Sequence, residues 1–388
     1  MKIMINYENI MSSKQTELLS KLTIVIPTYN RPLRLEKAIE FWRDVPVDVH
    51  IIDGSEISSF DHVWFDDIAN IFYHHIPCEI GQNGLINGFK RQVYGSALPK
   101  TEYSAVCADD DFYSVHQLVS SIEFLDSDSL IDAVCGRVLT YSKLSSDKVV
   151  WWCKYLNWKD QTSARSNDLY ERAFGAKNWF LYAVCRTELW RNFINSVYTV
   201  RGYTDHQTYV HEWLLKQLSS SLFRVKFLEG ISTIRQATQV GENYVDKIPW
   251  KTWLTDTKFK DQVDELIDQL TRSLSLVSSS SDDCVAVAQR LVYEEIRNLS
   301  LKPENKVSFR SLPWRTHLAQ KKLFSDNLTN LIARLIPAER AVGLKPYQLS
   351  LIQKLLSRWG VSFDKSELEK IEQLLLMSRE ELRLRANI

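Results

Sequence analysis

Short apolar runs alternate with stretches of helical spacing through the first two thirds of the chain. Leu22-Thr-Ile-Val-Ile26 is compact, rich in β-branched residues and bounded by Pro27, which reads as a buried strand. The turn Thr28-Tyr-Asn-Arg-Pro32 leads into Leu35, Ala38, Ile39 and Trp42 at helical spacing, with Pro32 where a first helical turn tolerates it. Residues 47–52 read as a second strand ending at Asp53-Gly54-Ser55, and 70–74 as a third. Residues 81–98 read as a glycine-loosened loop and a helix. Residues 103–107 form a fourth strand that runs straight into Ala108-Asp109-Asp110-Asp111, followed by a helix over 115–125 and a strand over 131–139. This alternation predicts βαβ units, hence an α/β fold with a mostly parallel sheet flanked by helices. Ligands of such sheets bind at the carboxyl ends of the strands. Thr28–Arg31, Asp53 and Asp109–Asp111 all fall there.

Farther along, 140–200 is dense in aromatic residues, a helix is expected over 205–219, and strands over 223–228 and 231–235. Beyond about 245 the strand pattern vanishes. Leu and Ile at helical spacing, mixed with Lys, Arg and Glu, predict helices over 259–274, 283–299, 318–335, 349–356 and 368–384. The organisation expected is a tail or short helix over 1–21, an α/β domain over 22–244 and a separable helical region over 245–388.

Composition narrows the classes. The 388 residues are 45% hydrophobic and 25% charged, with 48 basic and 48 acidic side chains, so the formal net charge is zero. No general attraction to nucleic acid follows from that balance. Twelve tryptophans suit sugar-binding surfaces, but core packing explains most of them equally well. The six cysteines form no CxxC pair, which argues against a zinc site, and Cys107, Cys135 and Cys185 lie in apolar runs, as reduced buried thiols do. No run of about 18 apolar residues occurs, and the N-terminus lacks a signal-peptide pattern, so a cytoplasmic protein is expected. Residues 300–388 carry more Lys and Arg than Asp and Glu, which would allow peripheral contact with the inner face of a membrane; a solvated helix face explains the same excess. The helical region is also a candidate dimer surface.

Three consecutive aspartates repel one another and raise each other's pKa, a cost that a divalent cation would relieve. Asp109 and Asp111 on a kinked loop would offer hard oxygen ligands to Mg²⁺ or Mn²⁺. A helix N-terminus also favours Asp, so the spacing alone leaves both readings open. Arg31 and the backbone N–H groups of 28–31 could meet a phosphate or base, or form an ordinary βα turn; Asp53 could accept from a base or ribose, or cap the Gly54-Ser55 turn.

Taken together, these segments resemble inverting glycosyltransferases of the GT-A fold, family 2. Thr23-Ile-Val-Ile-Pro-Thr-Tyr-Asn-Arg-Pro32 is similar to the family's opening strand and loop. Ile51-Ile-Asp-Gly-Ser55 resembles its second strand, Ile80-Gly-Gln-Asn-Gly84 with Lys90-Arg91 its glycine loop and helix, and Cys107-Ala-Asp-Asp-Asp111 its DxD motif. The resemblance covers roughly residues 22–236. It implies a nucleotide-sugar site formed by Pro27, Thr28, Tyr29, Arg31, Asp53, Arg91, Asp109, Asp110 and Arg235, with Asp109 and Asp111 on the metal. The family's Ala-Arg-Asn triplet reads Lys90-Arg91-Gln92 here, so only the arginine carries over.

An inverting transferase needs a base to take the acceptor's proton. The resemblance implies Glu212, which precedes an apolar helical pattern, with Asp205 as the alternative; either could instead be a solvent-facing helix charge. Trp179, Phe180 and Tyr182 lie where the family places its acceptor loop. The implied activity is metal-dependent, inverting transfer from a nucleotide sugar, with a UDP-sugar as the expected donor, to a hydroxyl of a glycan or lipid-linked acceptor in bacterial surface polysaccharide synthesis. Two rivals stand beside it: a non-catalytic GT-A-like module that binds glycans or proteins, and a sugar-nucleotide nucleotidyltransferase. The second normally carries a glycine-rich basic loop near its first strand, and 27–32 lacks one.

Overall fold

The computed structural model describes residues 11–60, 65, 68–77, 84–145, 148–152, 160–175, 182–198, 209–237, 248–278, 280–301 and 348–385. A nine-stranded sheet runs through it. In chain order the strands are β1 (Leu22–Thr28), β2 (Asp48–Asp53), β3 (Ile71–His75), β4 (Tyr103–Val106), β5 (Phe112–Tyr113), β6 (Ala133–Ser145), β7 (Lys148–Trp152), β8 (Val184–Arg186) and β9 (Val225–Gln236). Their spatial order is β3-β2-β1-β4-β8-β6-β9-β5, with β7 on β6. β3, β2, β1 and β4 are mutually parallel, and so are β6 and β9. The short β8 joins these two parallel blocks by antiparallel pairs on both sides.

Both faces of the sheet are covered, which is why β1 reads as a continuous apolar run. Leu22, Ile24 and Ile26 enter one core cluster, while Val25 points into the other with Ile52. The first cluster also holds α2 (Pro32–Trp42) and α4 (Val115–Ser127). The second holds α5 (Leu169–Gly175), α6 (Thr187–Tyr198) and α7 (Tyr209–Leu222). α1 (Ser13–Leu19) opens with a Ser12–Gln15 capping box and buries Leu18 and Leu19, so the expected tail contributes to the core. α3 (Gly84–Ala97) follows β3.

The described helices beyond 245 pack into the two cores of the sheet. α8 (Trp250–Thr255), α9 (Lys260–Leu274) and α10 (Ser281–Leu301) pack through Trp253, Leu266, Leu270 and Leu291 into the second cluster. α11 (Leu349–Arg358), α12 (Lys365–Leu376) and α13 (Arg379–Arg385) place Ile352, Leu356, Ile371 and Leu382 in the first cluster, with β1. Polar ties reinforce this packing: Lys37 Nζ donates to the Leu375 carbonyl at 2.6 Å, and Arg379 Nε to Glu36 at 2.8 Å. A separable appendage is therefore replaced by two helical groups on opposite faces of one sheet. Helix pattern fixes where a helix lies in the chain, but not which apolar surface accepts it.

The expected helix at 318–335 lies outside the described residues. The two strands expected over 223–228 and 231–235 are one strand, β9, whose pairing with β6 shifts register around Arg137. Gly136 allows the close approach there, since a Cβ on it would meet the Gly230 carbonyl at 2.8 Å. Cys107, Cys135, Cys185 and Cys284 are buried free thiols. No helix among the described residues is long and apolar enough to cross a membrane.

Candidate active site

The carboxyl ends of β1, β2 and β4 meet at one edge of the sheet. β1 and β2 pair Thr28 with Asp53, and Cys107 N donates to the Val25 carbonyl. The acidic loop therefore emerges beside Thr28. It is held in a fixed shape: Asp111 N donates to the Ala108 carbonyl, Cys107 Sγ to the Asp111 carbonyl, and Tyr141 Oη to the Asp110 carbonyl at 2.6 Å.

The three aspartates face different partners. Asp109, 3% exposed, accepts from Thr28 Oγ1 at 2.7 Å and from Arg31 at 3.2 Å. Asp110 pairs with Arg34 at 2.6 Å and Arg31 at 3.8 Å. Asp111, 2% exposed, accepts from Tyr182 Oη at 2.7 Å, Arg235 Nε at 3.3 Å and Gln236 N at 2.8 Å. The Arg235 guanidinium also lies 4.7 Å above the Tyr182 ring.

Burial raises the Asp109 carboxyl to about 6; Asp110 adds to the rise, and Arg31 and Thr28 oppose it. Burial likewise raises Asp111 to about 6 against the pull of Arg235. The same burial, with Asp111 alongside, drives the Tyr182 phenol well above its ordinary value.

Asp53 has a different setting. Its Oδ1 accepts from Ser55 N at 2.9 Å and Ser55 Oγ at 2.5 Å, and its Oδ2 from Tyr73 Oη at 2.6 Å and Ser59 N at 3.1 Å. Burial opposes the charge, but bonds from Ser55, Ser59 and Tyr73 outweigh it and hold the carboxyl below its ordinary value. The residue is fully buried, so a base or ribose would reach it only by displacing Tyr73 or Ser59. Here Asp53 fastens the 55–59 loop; Ser55 Oγ in turn receives Asn30 N at 2.9 Å, and Asn30 takes a left-handed φ of 52° in the β1 turn.

Arg91 on α3 reaches this end of the sheet, donating to the Thr28 carbonyl at 3.1 Å with its guanidinium 5.3 Å from the Tyr29 ring. Gly54 makes this possible, because a Cβ there would lie 1.9 Å from Arg91 Nη1. Tyr29 remains 38% exposed, and Pro27 pairs with Ile52 inside the sheet.

The structure thus gathers Thr28, Tyr29, Arg31, Asp53, Arg91, Asp109, Asp110, Asp111, Tyr182 and Arg235 at one edge. Glu212 lies in the first turn of α7, but its side chain is outside the described residues, as are Asp205, Trp179 and Phe180 in full. Sequence reading passed over Arg34, Tyr73 and Tyr141. Arg34 sits at helical spacing beside Arg31 and gave no signal of its own; Tyr73 and Tyr141 act from strands whose pairing only the fold determines.

Hard carboxylate oxygens suit Mg²⁺ or Mn²⁺, and here they are engaged by protein donors, so an ion would have to displace a guanidinium. Each aspartate is already matched by a guanidinium, and Asp111 uses both oxygens on protein donors. Among the described residues no three Asp, Glu, His or Cys side chains come together as a metal cage.

No protein-family model matches the chain, and no curated protein does. Among solved structures, S. aureus TarS 1–349 aligns at a TM-score of 0.39 and 12% identity, over 72% of this chain and 89% of that one. TarS 1–349 in complex with UDP-GlcNAc gives 0.37 and 12%, over 72% and 90%. Its complex with UDP gives 0.39 and 11%, over 72% and 89%. Superposition at this level transfers no residue role.

Proposed function

We propose that the chain is an inverting glycosyltransferase that moves a sugar from a nucleotide donor, a UDP-sugar, to a hydroxyl of a glycan or lipid-linked acceptor. The observation that carries the reading is the meeting of Thr28, Arg31, Arg91 and Asp109 where β1, β2 and β4 end. Perturbed carboxylates at the carboxyl edge of an α/β sheet mark a candidate ligand site, and the arginines beside them supply the charge a diphosphate needs.

The exposed Tyr29 ring offers a stacking surface for a base, with Arg91 fixed against it. Arg31 and Arg235 flank the acidic loop from two sides and can meet the diphosphate. A diphosphate that takes Arg235 leaves Asp111 without its countercharge. A proton or a divalent cation must then replace it, since a buried unpaired carboxylate is costly. Mg²⁺ or Mn²⁺ dependence belongs to the proposal on that ground. Glu212, in the first turn of α7, is the base that would accept the proton of the attacking hydroxyl, with Asp205 as the alternative.

A panel of nucleotide sugars, assayed for hydrolysis and UDP release with Mn²⁺ and with EDTA, tests the reading. Turnover of at least one donor, lost in Asp111→Ala and Glu212→Gln, is expected. Nucleotide binding with no turnover of any donor would leave the protein a binding module. UDP affinity that neither Mn²⁺ nor a fall from pH 8 to 6 strengthens would remove the countercharge argument.

A further inference from the structure

The far strands of the sheet carry a row of side chains beyond the donor residues. Thr140 on β6 is in register with Arg235 of β9 on one side and with Trp152 of β7 on the other. Residues directly opposite across strands point to the same face. Arg235, Thr140 and Trp152 therefore form a line over three strands, roughly 10 Å long at an interstrand spacing of about 4.8 Å. Their neighbours Tyr141, Trp151 and Ile234 fill the core on the opposite face.

At one end the line joins the site, through Arg235 on Asp111 and over Tyr182. At the other, Trp152 is only half-buried. Between them Thr140 is 7% exposed, and its hydroxyl has no hydrogen-bond partner among the described residues. A buried hydroxyl without a partner is destabilising and uncommon in native folds. Valine would fill the same volume without that penalty.

The sheet order puts this row across the acidic loop from the nucleotide side. Thr28, Tyr29 and Asp53 end β1 and β2, whereas β6, β9 and β7 lie beyond β4 and β8. We infer that the row is the subsite for the acceptor's sugar ring. The Trp152 indole carries the apolar C–H face of a pyranose. The Thr140 hydroxyl gains its missing partner from a sugar hydroxyl as the ring settles between Trp152 and Arg235. Transfer then requires a neighbouring hydroxyl of that ring to face the donor's anomeric carbon from the side opposite the leaving diphosphate. The inference rests on the transferase reading above and adds the acceptor's chemical class and its contacts.

The test uses the full chain with UDP present. Methyl β-glucoside, methyl β-galactoside and methyl N-acetyl-β-glucosaminide are the probes, followed by saturation-transfer NMR, and UDP affinity is titrated separately. At least one glycoside is expected to bind. Thr140→Val should weaken it fivefold or more and Trp152→Ala tenfold or more, with partial recovery in Trp152→Phe and UDP affinity within twofold of the parent throughout. Thr140→Val should melt at or above the parent temperature, so its loss of sugar binding is not misfolding. A Thr140→Val protein that gains stability and keeps full glycoside binding would show the row to be packing alone and overturn the inference. So would a parent protein that binds UDP but none of the glycosides. Variants that lose UDP affinity instead would assign the row to the donor. If glycosides bind through the row while no nucleotide binds at all, the sugar subsite stands and the transferase reading falls.

Discussion

Gly54 shows how one missing Cβ shapes a site. Its carbon-free side admits the Arg91 guanidinium, which then braces the Thr28 carbonyl and the Tyr29 ring. Gly54→Ala should leave the fold intact, because a flexible arginine can swing away. It should weaken UDP binding about tenfold, in line with about 1.5 kcal/mol for a hydrogen bond from a charged group; calorimetric titration reads this, and unchanged affinity would separate Arg91 from the nucleotide. The aspartates make a prediction about pH. Asp109 and Asp111 have folded values of about 6, above their ordinary 3.8. A raised carboxyl value means the folded state holds its proton longer, so the associated stability is present below about pH 4 and lost as pH rises through 6. The melting temperature of Asp109→Asn, which mimics the protonated acid, should therefore rise relative to the parent between pH 4.5 and 7. A constant difference over that range would refute the shift. Asp53 has the opposite sign: its folded value is lowered, so its contribution is present above about pH 4 and lost as acid protonates it. The DDD run announced a charged site in the sequence, but the arginine that answers each aspartate could not be read there. Arg235 is 124 residues from Asp111, and strand pairing alone brings them together.

At the scale of elements, the acidic loop is held from behind by a helix far away in the chain. Ser114 caps α4, and Glu367 on α12 accepts from Ser114 Oγ at 2.7 Å and from Val115 N at 2.5 Å. A carboxylate at a helix N-terminus is favourable. Yet Glu367 is 3% exposed, and burial raises it to about 7 against the bonds from Val115 and Ser114. Stability linked to it is thus present below about pH 4.5 and lost as pH rises through 7. Glu367→Gln keeps one acceptor for Val115 and places a donor at Ser114. Its stability relative to the parent should increase from pH 5 to pH 8, by up to about 3 kcal/mol for a shift of this size. Chemical denaturation at the two pH values measures it, and Glu367→Ala should be less stable than the parent at pH 5. Caps at Ser12, Ser114 and Asp364 agree with local sequence rules, but the single helix expected over 368–384 is two, α12 and α13, parted after Leu376. The single long β9 was not legible, since Gly230 looks like a break until the bulge opposite Gly136 accommodates it.

At the scale of the whole molecule, the sheet is a partition between two cores, each closed by helices from beyond residue 245. Truncation after residue 301 would strip Leu349, Ile352, Leu356, Leu368, Ile371, Leu374 and Leu375 from the first core. Each such side chain stabilises by about 1.5–3 kcal/mol when buried, so together they rival the roughly 5–15 kcal/mol that holds a typical domain folded. The truncated chain should be insoluble or lack a cooperative melt by circular dichroism. A soluble, UDP-binding fragment with a sharp transition would prove the helices separable after all. The sequence by itself determined the βαβ order, the buried strand β1, the helix positions and the clustering of acids and arginines at strand ends. Those features follow from local periodicity, from turn chemistry and from the rule that α/β sheets bind at their carboxyl edge. Tertiary structure alone decided that Asp53 is a bracket for its own loop, that Arg34 and Arg235 neutralise the acidic run, that the final helices clasp both faces, and that Thr140 stands between Arg235 and Trp152. Each of these depends on which strand lies beside which, and hydrophobic pattern fixes the face of a strand but never its neighbour.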